Sequence, residues 1–203
     1  MGLSPLKGSA MSGRPKLQQH DKVLTPEEKK RLLTHIDRNE WSRPAAIIRT
    51  VLKTGLRCSE VAHLKIEHCH LYTPRPFVLV YGGKMRAEDH ADKIPVGVRF
   101  AAFLVEYIER SGAKVYVFEG KGHGLTRNTI WADVKGVFWR LNFNRKYAVH
   151  ALRHRYVTDV YKAYKDPMTT MNMARHKSLN ITTAYIHTAS EESADFRQKL
   201  EVV

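Results

Sequence analysis

The sequence VHALRHRYVTDVYKAYK at residues 149–165, continued by DPMTTMNMARHK at 166–177 and SLNITTAYIH at 178–187, sets the frame for the rest of the chain. Val149, Leu152, Tyr156, Val160 and Ala163 recur at steps of three and four, the spacing of one buried helix face, so a helix is expected from Val149 to about Lys165. His150 and Arg153, three apart, are expected side by side along one edge of that stripe, at the lip of a cleft. Asp166-Pro167 stops this helix and begins a short one through Met173, because proline suits a first helical turn and disrupts a later one. Ser178 or Asn180 can cap the segment that carries Tyr185. Cationic side chains, histidine and a phenol in so short a stretch are what an attack on a phosphodiester requires.

The upstream chain reads as scaffold for that set. Thr25-Pro26-Glu27-Glu28 supplies an N-cap, a proline at the first helical position and a capping-box glutamate, with Leu32, Leu33 and Ile36 facing inward. A second helix, about Pro44 to Lys53, turns Ala46, Ile47, Val51 and Leu52 to the core, and Gly55 stands where a left-handed C-cap is wanted. Ser59 can cap a third helix that buries Val61 and Leu64. Arg57 then lies in the tight connection, where it and the free amides of that helix would form an anion site. Three strands are expected at Leu64–Leu71, Phe77–Tyr81 and Lys93–Val96, with Gly82-Gly83-Lys84 leaving the second. Helices are expected at Val98–Arg110 and Thr126–Phe143, an extended Val115–Phe118 and a loop at Gly120–Gly124 between them, and a last amphipathic helix at Glu191–Val203. The fold class is therefore mainly α with a small three-stranded antiparallel sheet, an α+β domain spanning 22–203. Residues 1–21, rich in Gly, Ser, Pro, Lys and Gln, read as a flexible leader or tag.

The chain of 203 residues carries 34 Lys and Arg against 20 Asp and Glu, a net charge of +14, while 43% hydrophobic residues argue for a folded body. Such a surface points to nucleic acid first and an anionic membrane surface second. No apolar run approaches the roughly 20 residues of a membrane span and no signal core opens the chain, so a cytoplasmic, DNA-associated protein is expected. Cys58 and Cys69 announce no disulfide frame, and His63, His68, Cys69 and His70 complete no recognised zinc spacing, so neither metal nor cofactor is expected. Lys135, Arg140, Arg145, Lys146, Arg155 and Lys177 are the clustered cations expected to lie along DNA.

Taken singly, each candidate has an ordinary reading: Arg57 a helix-end arginine, Lys84 a hairpin-tip charge, His150 and Arg153 a solvated pair, Tyr185 a core tyrosine. Their order and wording carry more. Thr54-Gly55-Leu56-Arg57-Cys58-Ser59-Glu60-Val61, a Gly-Lys turn after a strand, His150-x-x-Arg153-His154, then His176 and Tyr185 preceded by Thr182-Thr183, resemble the catalytic domain of the tyrosine recombinase, or phage integrase, family across about residues 22 to 190.

The resemblance implies site-specific cleavage and rejoining of double-stranded DNA through a 3′-phosphotyrosine, by a homo-oligomer, a tetramer on two duplexes, with no small-molecule substrate. Tyr185 would be the nucleophile, Arg57 and Arg153 the clamp on the scissile phosphate, His150 the group that manages protons and His176 a ligand to a phosphate oxygen. Lys84 would protonate the leaving 5′ oxygen, Lys93 being the alternative, and Glu60 would support the site. The chemistry suits these residue types. A phenol is only about 0.1% ionised at pH 7 and needs a base or a positive field. Guanidinium forks offer paired donors to the charged oxygens of a phosphorane. An alkoxide leaves readily only when protonated as it departs. The family usually has glycine where Arg175 stands, and a separate helical clamp domain ahead of the catalytic one that residues 1–21 cannot form. A type IB topoisomerase and a non-cutting DNA-binding accessory protein on the same fold are the alternative readings.

Overall fold

The computed structural model describes residues 23–81, 91–120, 122–180, 182–183, 185–186 and 189–190. The leader at 1–21, the Gly82-Gly83-Lys84 turn and the expected helix at 191–203 lie outside them. Helix α1 (Pro26–Arg38) opens on the expected capping box: Glu28 N donates to Thr25 Oγ1 at 3.1 Å and Thr25 N to Glu28 Oε2 at 2.9 Å. Helix α2 (Arg43–Thr54) is the central pillar, with Ala45 through Ile48, Val51 and Leu52 buried. It ends on Gly55 at φ 65°, ψ 19°, the left-handed cap that glycine adopts without penalty.

Helix α3 (Cys58–Ala62) follows at once, and its N-cap is Arg57 rather than Ser59. The expected strand at 64–71 resolves into a single 3-10 turn at Ile66–His68 and a two-residue strand β1 (Cys69–His70). β1 pairs antiparallel with β2 (Phe77–Tyr81), which pairs antiparallel with β3 (Ala91–Pro95), giving the sheet order β1-β2-β3. The sheet packs into the main core through Val78, Val80 and Ile94, the alternate residues on one face.

Helix α4 (Val98–Ser111) supplies Phe100, Phe103, Leu104 and Tyr107 to that core. The Val115–Phe118 run is extended: it is tied to the segment just after α3 by a Lys65–Tyr116 bridge and by Val117 N donating to Leu64 O at 2.9 Å. The glycine-rich segment after it is a small hairpin, β4 (Glu119–Gly120) with β5 (His123–Gly124), rather than a plain loop. Helix α5 (Arg127–Arg140) buries Ile130, Val134, Val137 and Phe138 and leaves Trp131 and Trp139 exposed.

Helix α6 (Val149–Tyr164) matches its expected span but not its expected amphipathicity. Ala151, Arg153, Arg155, Val157 and Thr158 are buried along with Val149, Leu152, Tyr156 and Val160, whereas Ala163 is exposed. The helix runs through the middle of the domain, so most of its circumference meets protein. Helix α7 (Pro167–Ala174) is capped by Asp166, whose carboxylate accepts from Thr169 N at 2.7 Å. The residues described between 179 and 190 are helical. Tyr156, Val157, Val160, Ala174 and Tyr185 form a second, smaller core in which α6, α7 and this last segment meet. Among the described residues no helix is long and apolar enough to cross a membrane.

Candidate active site

The site is built around the C-terminal end of α7. The last carbonyls of a helix have no partner within it and sit at the negative end of its dipole, so cations are drawn there. Here two consecutive carbonyls take two different arginines. Arg153 Nη2 donates to Ala174 O, and Arg57 Nη2 donates to Arg175 O at 3.2 Å. Arg153 Nη1 also donates to Gly55 O, so this guanidinium pins the end of α2 to the end of α7. Arg153 is accordingly buried rather than standing at a cleft lip beside His150, which is exposed. Burial first, then the charges of Arg57 and Arg175, lower the Arg153 pKa to about 10, still fully cationic at neutral pH.

Gly55 is needed for this contact twice over. Its φ is positive, and a Cβ there would stand 2.4 Å from the Tyr156 ring. The Thr-Gly-Leu-Arg wording is thus a packing requirement between α2 and α6 that also delivers Arg57 to the site.

Glu60 is the shared anion. Its carboxylate accepts from Arg57 N and Arg57 Nη1, both at 2.7 Å, and from Arg175 Nη2 at 2.9 Å and Nη1 at 3.1 Å. Burial alone would raise the Glu60 pKa, but the bonds and charges of Arg175 and Arg57 outweigh it and hold the carboxyl below its ordinary value. Of the amides at the start of α3, that of the N-cap Arg57 is bonded to Glu60. The outer part of the Arg57 side chain, which is 41% exposed, is open to an incoming anion.

His176 follows Arg175 directly, its N–H donating to Met171 O at 3.0 Å. Its Nδ1 lies 3.0 Å from Thr182 Oγ1, which ties it to the segment bearing Tyr185. Burial, reinforced by Arg153, Arg57 and Arg175, drives its pKa down to about 4, so the ring is neutral at pH 7. The His150 pKa is also lowered, first because neighbouring protein shields part of its ring, although the residue reaches solvent, and then by the charges of Arg153, Arg57 and Arg127.

Tyr185 is 2% exposed, and its ring lies between two imidazoles: His176 is stacked at 5.7 Å between centroids and His154 tilted at 5.3 Å. The phenol oxygen is hydrogen-bonded to His154 Nδ1. The sequence assigns His154 no role of its own; the signal for it is its position immediately after Arg153 and one helical turn beyond His150. Arg175 stands out in the sequence only as a departure from the family's glycine, and nothing there marks Arg127, whose charge reaches His150.

Lys84 lies outside the described residues. Lys93, its alternative, is on β3 with its ammonium 3.9 Å from the centre of the Phe77 ring. Asp92, next to it, approaches Arg175 Nη1 at 3.5 Å, and neighbouring strand residues point to opposite faces, so Lys93 points away from the site.

Among the cations expected to line DNA, Arg145, Lys146, Arg140 and Lys177 are exposed. Lys135 donates to the carbonyl of Arg145. Arg155 is buried rather than on the surface. It is 3% exposed, donates to Leu24 O at 3.1 Å and pairs with Asp159, which Lys29 also contacts at 2.7 Å. It fastens the start of α1 to α6. His68 and His70 pack against Tyr81 and Phe77.

The model of the phage integrase family matches residues 22–192. A tyrosine recombinase of Thermosipho africanus is 28% identical over 178 residues, 87% of this chain and 61% of its own length. The tyrosine recombinase XerD of Listeria monocytogenes is 27% identical over 177 residues, 82% of this chain and 58% of its own. The chain thus spans about three-fifths of the length of these relatives. Among solved structures, the XerH site-specific recombinase bound to palindromic difH substrate superposes with a TM-score of 0.74 at 22% identity, over 90% of this chain and 54% of that one. The XerA recombinase gives 0.72 at 21% identity, over 87% and 64%. These likenesses establish the fold.

Proposed function

From the premise that this chain belongs to the phage integrase family, we propose that it cleaves and rejoins double-stranded DNA at specific sites through a 3′-phosphotyrosine. The observation that carries the reading is the convergence of Arg57, Arg153, His176 and the buried phenol of Tyr185 on the end of α7. Arg57 and Arg153 are held by carbonyls and by one carboxylate, which leaves an excess of positive charge for a phosphodiester to neutralise. Their forks stabilise the charge that grows on the non-bridging oxygens as the phosphorane forms.

Tyr185 Oη attacks phosphorus, its proton passes to an imidazole, and the bond from phosphorus to the 5′ oxygen breaks. His154 is the imidazole in contact with the phenol, and His150 lies one turn away along α6, with ring centroids 6.3 Å apart. Neutral His176 donates a hydrogen bond to a phosphate oxygen without adding a charge. The proton for the leaving 5′ oxygen falls to Lys84, since Lys93 is engaged on the other face of β3. The energy of the broken bond stays in the phosphotyrosine ester, so a second DNA end can be joined by the reverse attack. Arg145, Lys146 and Lys177 carry phosphate contacts, and the assembly is a homo-oligomer on DNA, a tetramer on two duplexes.

The test is a covalent adduct between the purified chain and a nicked duplex that cannot religate, seen on a denaturing gel. The expected result is an adduct that disappears in Tyr185→Phe. An adduct that persists in that variant refutes Tyr185 as the nucleophile, and tight duplex binding with no adduct on any nicked site favours a non-cutting protein.

A further inference from the structure

Resting on that reading of the site, we infer that Arg175 is a positioning residue for the phosphate clamp, holding Arg57 in place through Glu60 and tying the β2–β3 hairpin to the same carboxylate. Three observations carry this. The first is backbone cost. Arg175 sits at φ 54°, ψ 46°, a left-handed conformation that costs an L-residue roughly 1–2 kcal/mol and glycine nothing. A C-cap alone gives no reason to prefer arginine there.

The second is the geometry of its side chain, which is 10% exposed. Its two terminal nitrogens meet the two oxygens of Glu60 as parallel bonds, Nη1 to Oε1 at 3.1 Å and Nη2 to Oε2 at 2.9 Å. This planar fork fixes the plane of the carboxylate, and a single ammonium could not. The same oxygens receive Arg57, Nη1 on Oε1 and the backbone N–H on Oε2. Arg57 is also held directly by the Arg175 carbonyl. Arg175 therefore grips Arg57 with its main chain and, through Glu60, with its side chain.

The third is reach. Nη1 lies 3.5 Å from Asp92 Oδ2 on β3, so one guanidinium joins α7, α3 and the sheet. Its Nε is buried with no hydrogen-bond partner among the described residues. A buried donor without a partner is costly, so the fork to Glu60 holds the side chain in place against that cost.

Without Arg175, Glu60 keeps only Arg57, and the carboxylate and the clamp arginine can rotate together. A displacement of the order of 1 Å in a clamping group can cost a reaction up to about a hundredfold. The charge of Arg175 is a lesser matter, since binding is shared among many cations.

The experiment compares wild type, Arg175→Gly and Arg175→Lys as full chains on a nicked suicide duplex. At saturating DNA, the single-turnover rate of adduct formation is expected to fall about tenfold or more in both variants. The duplex Kd should change by less than about threefold. Glycine suits the left-handed backbone, so Arg175→Gly should keep its fold by circular dichroism. Lysine keeps the charge without the fork. A wild-type rate in either variant, or a rate loss matched by lost affinity, overturns the inference.

A second measurement needs no catalysis. In the carboxyl ¹³C spectrum, the Glu60 titration should move to higher pH in Arg175→Gly, and an unmoved titration overturns the assignment. If wild type yields no adduct, the reaction reading fails, while the Glu60 titration still decides the role of Arg175.

Discussion

Lowering the pH from about 7 to about 5 should weaken this protein chiefly through His176 among the imidazoles of the site. Its ring is packed against Tyr185, bonded through Nδ1 to Thr182 and surrounded by Arg153, Arg57 and Arg175. Burial and those three charges bring its pKa to about 4, against about 6.5 in an unfolded chain. Between these values the unfolded chain binds a proton that the folded one refuses, so stability rises with pH across the window and is lost as pH falls from 6.5 toward 4. At pH 5 the unfolded imidazole is about 97% protonated and the folded one about 10%, which corresponds to a loss of about 2 kcal/mol. Solvent reaches part of the ring, which brings the expected figure nearer 1 kcal/mol.

Urea unfolding of wild type and His176→Gln at the two pH values measures this directly. Glutamine keeps a hydrogen-bonding group but does not titrate, so its stability should fall less between pH 7 and pH 5. A phosphodiester in the site would offset the cations, so a bound nicked duplex should raise the His176 pKa in an NMR titration. Two results would refute the reasoning: a free-protein His176 that titrates near 6.5, or equal pH slopes in wild type and His176→Gln.

Four further outcomes are expected. Gly55→Ala should destabilise by about 3 kcal/mol, the left-handed backbone and the collision with the Tyr156 ring adding, with an unchanged urea m-value. Arg153→Ala should abolish adduct formation while leaving most duplex affinity, measured by fluorescence anisotropy, because other cations carry the phosphate load. Arg155→Met should cost about 2 kcal/mol by leaving the Leu24 carbonyl and Asp159 short of a partner. Its salt dependence of DNA binding should match wild type, and a slope reduced by about one would place Arg155 on a phosphate after all. Asp166→Ala, which removes the cap of α7 far from the reacting atoms, should slow adduct formation more than it lowers the melting temperature, since both arginines hang on that helix.

Most of what local chemistry carries was legible in the sequence. The Thr25–Glu28 box, the Gly55 cap, the Asp166-Pro167 start and the 77–81 strand each rest on residues within a few positions of one another, and each stands where expected. The segment 64–71 misled because alternation of apolar residues fits a strand and an irregular turn equally. Only Cys69 and His70 join the three-stranded sheet there, while Lys65 makes an isolated bridge to Tyr116. Ser59 and Arg57 compete to cap the same short helix, and Glu60 decides it by closing a box onto Arg57. The failures on α6 have one cause. A periodicity reading assigns arginine to the surface, yet Arg153 and Arg155 are buried because carbonyls of Gly55, Ala174 and Leu24 receive them. Those partners come from distant turns and helix ends, where no local pattern signals a waiting acceptor. The bond from Tyr185 to His154 is illegible for the same reason, as it closes across α6, α7 and the turn between α7 and the tyrosine segment.

Carbonyls hold Arg153, and a carbonyl together with the carboxylate of Glu60 holds Arg57, which has a consequence for the charge of the site. A carboxylate beside each arginine would fix the guanidinium and neutralise it, leaving little drive to bind a phosphate. Carbonyls fix it and leave its charge in place. Two guanidinium groups, from Arg57 and Arg175, bond to the buried carboxylate of Glu60, while Arg153 bonds to carbonyls, so three cations meet one buried anion at the site. Burial first and the uncompensated charge second depress His176 and keep it neutral, so on the proposed mechanism the ring would donate a hydrogen bond without holding a proton that Tyr185 would have to displace. Because two of the carbonyls belong to consecutive residues at the end of α7, one short helix sets Arg57, Arg153 and His176 together. The next segment of chain carries Tyr185. On the proposed mechanism, a shift of α7 would therefore reach the two arginines and the Tyr185 phenol at once, so the geometry of phosphate binding and the position of the phenol would be mechanically one variable.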